Sequence, residues 1–109
     1  MFTIAESPEF THDVPVLVPV DDGQEERKLR TRFRAIPAAE ADSFDLGSEE
    51  GRDAFLDRVV VGFHDLVDDA GRPVACTDEI RGRLMGYPFV RTALTVGYLR
   101  AVSGARLGN

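Results

Sequence analysis

The strongest constraint in this chain is a run of apolar residues that needs a partner surface. Phe55, Leu56, Val59, Val60, Phe63, Leu66 and Val67 recur at three- and four-residue spacings, while Arg52, Asp53, Asp57 and Arg58 fall largely elsewhere. The spacing predicts one long helix, opened by Ser48 as N-cap and favoured at its positive end by Glu49, Glu50 and Asp53. It is expected to stop at Asp68-Asp69-Ala70-Gly71-Arg72-Pro73, where Gly71 can turn left-handed and Pro73 forbids continuation.

The second constraint is an alternation. Phe10, His12, Val14, Val16, Val18 and Val20 share one side of a strand, and Pro15 and Pro19 on the other parity mark it as an edge strand or a bulged one. Asp22-Gly23 is a pair favoured in two-residue hairpin turns. With that pair as the loop, Val16 faces Leu29, Val14 faces Thr31, His12 faces Phe33 and Phe10 faces Ala35. Asp13 then opposes Arg32, Thr11 opposes Arg34 and Leu17 opposes Lys28. A slip by one residue would drive arginines into the core, so alternation and turn support each other. Phe2 to Ala5 is a candidate for a short third strand.

After Pro37 the segment to Glu50 is helix-prone but short, with Ala41, Phe44 and Leu46 packing. Thr77 caps a further helix to about Met85, carrying Ile80, Leu84 and Met85. Pro88 opens a last one with Phe89, Val90, Ala93, Leu94, Gly97, Tyr98, Ala101 and Val102 on a wide apolar face, ended by Gly104. The expectation is a single α+β domain over residues 1–109. An N-terminal antiparallel hairpin (about 9–36) packs on three to four helices (about 38–104), and residues 105–109 form a frayed tail.

With 109 residues the chain can bury a real core. The net charge of -6 argues against nucleic acid, since phosphate is repelled overall. No apolar run approaches the roughly 20 residues that span a bilayer, and the first ten residues lack the basic and apolar regions of a secretory signal. Cys76 is the one cysteine, so no intrachain disulfide forms, which fits a reducing cytoplasm.

Chemistry is hard to place. His12 and His64 are not in metal-ligand spacing. Asp65, Asp68 and Asp69 fail a calcium loop, because positions three, six and twelve from Asp65 hold Val67, Ala70 and Cys76. Cys76 has no neighbouring base, Ser103-Gly104 is not a nucleophile elbow, and no glycine-rich loop follows a strand. A non-catalytic protein with no cofactor and no metal is expected. The candidate binding residues are Arg30, Arg32 and Arg34, which share one strand face with Lys28, and the cluster Leu84, Met85, Tyr87 and Phe89. The arginines read either as a dock for an acidic partner or as a solvated face neutralised by nearby acids. The cluster reads either as an adaptable groove for a partner helix or as core.

Several stretches carry a family resemblance: Arg30-Thr31-Arg32-Phe33-Arg34, Gly62-Phe63 through Leu66-Val67-Asp68-Asp69, Gly71-Arg72-Pro73-Val74, Thr77-Asp78-Glu79 and Ala105-Arg106-Leu107-Gly108-Asn109. On these the chain resembles the tail assembly chaperone-like proteins of long-tailed bacteriophages and prophages. It departs from them at Phe63, Asp65 and Cys76, where the family often has Trp, Gly and Phe. The resemblance implies a cytoplasmic protein of the bacterial host that shields the tape measure protein before the tail tube polymerises, and whose longer frameshifted form helps recruit tube subunits. A groove between the last two helices would hold the partner, and a homo-oligomer is compatible. The alternative is a minor structural or tail-completion component that remains in the particle.

Overall fold

The computed structural model describes residues 1–4, 6 and 8–103. The protein is α+β: a long antiparallel hairpin, β1 (Glu9–Val20) and β2 (Gly23–Arg34), gains a third strand, and helices pack against the resulting sheet. After β2 come α1 (Ala38–Asp42), α2 (Glu49–Val59), β3 (Val60–His64), the short pair β4 (Leu66–Val67) and β5 (Pro73–Val74), α3 (Asp78–Met85) and α4 (Pro88–Ser103). The sheet order is β1-β2-β3, so β1 is an edge strand. The Gly104 helix stop and the tail at 105–109 lie outside the described residues.

The hairpin forms with its expected faces but a different register. Val20 opposes Gly23, Val16 opposes Arg27, Val14 opposes Leu29, His12 opposes Thr31 and Phe10 opposes Phe33. The loop is therefore Asp21-Asp22, with Asp22 at φ 61, a left-handed conformation that a short acidic side chain tolerates. The prolines explain the shift. A loop at Asp22-Gly23 would put Pro15 and Pro19 at positions that donate to β2, and proline has no N–H to give. The observed register turns both away from β2. Because the shift is by two residues, Val14, Val16, Leu29, Thr31 and Phe33 stay on the core side, and Arg30, Arg32 and Arg34 stay outside.

The expected long helix is overturned halfway along. Ser48 does cap α2, its hydroxyl accepting from Gly51 N at 3.0 Å, but the helix ends at Val59 and the chain becomes β3 without a loop. Val59-Val60-Val61 is β-branched and strand-prone, and the free edge of β2 offers it hydrogen bonds. Arg30 pairs with His64, Thr31 with Phe63, Arg32 with Gly62 and Phe33 with Val60. Between the last two pairs the register breaks, leaving Val61 opposite no partner. That bulge lets Val60 and Phe63, three apart, both enter the core. Leu66 and Val67 leave the helix altogether, and Val67 is 63% exposed. The third strand is thus β3; residues 1–4 belong to no strand, and Ala5 lies outside the described residues.

Tyr98 organises the core. Its ring lies 5.5 Å from those of Phe33 and Phe55, and 6.3 Å from Phe10. Its hydroxyl accepts from Ile36 N at 3.0 Å, so the one polar atom of a fully buried ring is satisfied. Val90, Leu94 and Tyr98 form the buried stripe of α4. Gly97 lets that helix approach β1: a Cβ there would stand 3.0 Å from Val14 Cγ1. Gly51 has a similar role, since a Cβ would fall 1.9 Å from the Asp45 carbonyl oxygen. Ala41, Phe44 and Leu46 pack against the core edge as expected.

Candidate functional site

Two groups of residues suggested binding, and the sheet separates them. Arg30, Arg32 and Arg34 stand in a row on the outer face of β2, and each is engaged within the chain. Arg30 Nη1 lies 3.1 Å from Asp13 Oδ1, and its Nε lies 3.7 Å from Asp65 Oδ2. Arg32 reaches Glu9 Oε1 at 3.2 Å and Thr11 Oγ1 at 3.1 Å. Arg34 donates to the Arg58 carbonyl at 2.7 Å, tying β2 to the last turn of α2. The register produces these pairs, since Asp13 is directly opposite Arg30 and Thr11 opposite Arg32. A partner's carboxylate would have to compete with these bonds; Arg30 and Arg32 already face carboxylates, whereas Arg34 is held by a backbone carbonyl.

Leu84, Tyr87 and Phe89 come together on the other side of the sheet. They line an apolar groove of about 400 Å³ whose opposite wall is Val16, Val18 and Leu29 of the hairpin, with Val90 at its base. The groove therefore lies between the hairpin and the α3–α4 junction, not between the last two helices. Thr77 places α3 by accepting from Ile80 N at 3.2 Å. Gly86 ends α3, and Pro88 opens α4 two residues later, so the intervening Tyr87 is carried outward, 46% exposed. Its ring stacks on Phe89, with centroids 5.2 Å apart and planes at 25°. Leu84 and Phe89 are half-buried against the core. Arg27 and Lys28 stand at the rim, held by Glu25 at 2.7 Å and Glu26 at 3.3 Å.

Met85 does not join this groove. It faces a separate depression with Leu56, Asp53, Asp57, Arg81 and Arg91. There Arg81 holds Asp57 at 3.2 Å and the Val60 carbonyl at 2.7 Å, and Arg91 holds Asp53 at 2.9 Å. These bonds fasten α3 and α4 to α2 and fix the wall that carries Tyr87. The hairpin wall of the groove, Val16, Val18 and Leu29, was not singled out from the sequence. The alternation signalled that these side chains share a face, but nothing local showed which element they would meet.

Cys76 is half-buried, and its Sγ accepts from Phe63 N at 3.4 Å. Asp68 closes the β4–β5 turn: its carboxylate accepts from Arg72 N at 3.0 Å and Ala70 N at 2.9 Å, and pairs with Arg72 Nε at 3.0 Å. The Arg72 backbone bond foremost, with the Ala70 N–H and the Arg72 side chain adding to it, holds the Asp68 carboxyl below its usual value. Of the aspartates read against a calcium loop, Asp68 thus serves a turn, with Gly71 left-handed at φ 78, while Asp65 pairs with Arg30.

Among the described residues no helix is long and apolar enough to cross a membrane. Comparison with protein-family models, with curated proteins and with solved structures finds no match.

Proposed function

We propose that this protein is a non-catalytic binding domain that acts as a phage tail assembly chaperone in the bacterial cytoplasm, covering the apolar stripe of the tape measure protein before tail tube subunits assemble. The observation that carries the reading is the groove at Leu84, Tyr87 and Phe89: an apolar trough with an exposed aromatic ring, walled by the hairpin on one side and the α3–α4 junction on the other. A long amphipathic helix with an uncovered stripe aggregates, and a groove of this kind accepts such a stripe through residues spaced by three and four. The net charge of -6 would keep a complex in solution.

Co-expression with the tape measure protein of the same phage or prophage tests the proposal. The tape measure protein should remain soluble and co-purify, and Tyr87→Ala with Phe89→Ala should weaken the complex while the fold persists. Unchanged solubility with no isolable complex removes the proposal. Mass spectrometry of finished particles separates it from the structural alternative, because a chaperone is absent from completed tails.

A further inference from the structure

The open edge of β1 and residues 1–4 are complementary, and among the described residues one copy leaves both unpartnered. Ala35 N donates to Pro8 O at 2.9 Å, which fixes the phase of the ladder: even-numbered residues of β1 bond to β2 and odd-numbered ones point outward. Pro15 and Pro19 are odd, so they blunt the distal edge, and Glu9, Thr11 and Asp13 keep outward N–H groups able to receive another strand. Beneath that stretch lies a groove of about 260 Å³ between β1 and α4, its apolar floor formed by Val14, Ala93, Val96 and Gly97 and its edges carrying Asp13 and Arg100. Val96, at the groove's edge on α4, is 40% exposed.

The segment that fits this surface is Met1–Ile4. Phe2 and Ile4 are 92% and 89% exposed, and alternation puts both on one face of an extended strand. To reach its own groove the segment would have to reverse between Ile4 and Pro8, because Pro8 is held in the ladder and the groove lies at residues 12–15, the other way along β1. A second copy faces no such reversal. We propose that Met1–Ile4 of one copy adds as a strand to the open edge of β1 in a second copy, seating Phe2 and Ile4 over the β1–α4 groove, with the exchange made reciprocal by a two-fold axis. The His12 ring, whose Nδ1 is 2.9 Å from the Thr11 carbonyl, swings aside to open that carbonyl to the incoming strand. The proposal does not depend on the chaperone reading.

The 109 residues include no tryptophan, so Phe2→Trp supplies a single reporter. Its emission should shift to the blue as concentration rises from micromolar to millimolar, in step with a doubling of the sedimenting mass. The double variant Phe2→Asp/Ile4→Asp should raise the dimer dissociation constant at least about tenfold, as should Val96→Glu in the receiving groove. Both change exposed positions, and circular dichroism should be unaltered. Mixing the two variants restores one intact arm-in-groove contact, so the mixture should dimerise more tightly than either alone. Four results overturn the proposal: a monomer at every concentration, indole burial independent of concentration, a dimer indifferent to the double variant, or no complementation on mixing.

Discussion

The two halves of the hairpin share one ladder but are held in different ways. At the base, residues 9–14 and 29–34, β2 is bonded on both sides and α4 covers the inner face, so Val14, Thr31 and Phe33 are at most 2% exposed. In the arm, residues 15–28, β3 no longer accompanies β2; Val16 is still buried at 3%, but Leu17 and Val20 are 51% and 42% exposed. The contrast teaches that strand pairing sets the shape of this protein while covering sets its stability. The arm inherits its geometry from the base and is thereby free to form one wall of a groove.

The sharpest way to break the comparison is to truncate at the base. Phe33→Ala and Phe63→Ala should each cost about 3–5 kcal/mol in urea denaturation, as a fully buried Phe does; a loss below 1 kcal/mol at either would mean the base is no better packed than the arm. Next comes Gly97→Ala. It gains helix propensity but drives a methyl against Val14, itself 2% exposed and unable to yield, so a net loss of about 1–2 kcal/mol in Tm-derived stability is expected. In the arm, Leu17→Ala should stay within about 0.5 kcal/mol of the parent. Amide exchange at Val18 and Glu25 should be faster than at Val14 and Thr31, and equal protection would erase the distinction.

The smallest effect concerns the other protruding hairpin, β4–β5, which is held by its turn. Asp68 has its folded pKa depressed by the Arg72 and Ala70 bonds. Its contribution is therefore complete above the unfolded value near 4, and is lost as pH falls through the lower folded value. Stability should decline over that acid window, and Asp68→Asn should remove this part of the decline; an identical pH profile in the variant would show that the turn is not coupled to folding.

Much of the fold was legible because it depends on neighbours in sequence. Ser48 and Thr77 read as N-caps, Pro88 as a helix start, Gly71 as a left-handed turn and the β1 alternation as a strand, since each is settled within about four residues. Of the candidate site, Leu84, Tyr87 and Phe89 were legible as a cluster, whereas Met85 turned to a different depression. The arginine row was legible as a face, but its neutralisation partners depend on a register that the prolines shift by two.

The sequence by itself determined most of the buried set, though not the exposure of Val67 and Val20, and which faces of the hairpin are polar. Only the tertiary structure decided that Val60 to His64 is a strand. The three-residue spacing of Val60 and Phe63 satisfies a helix and a bulged strand equally well, and the open edge of β2, some thirty residues away in the chain, supplies the hydrogen bonds that choose between them. The groove was settled in the same way. Its walls come from residues 16–29 and 84–90, and only the packing of α4 beneath β1 brings them face to face.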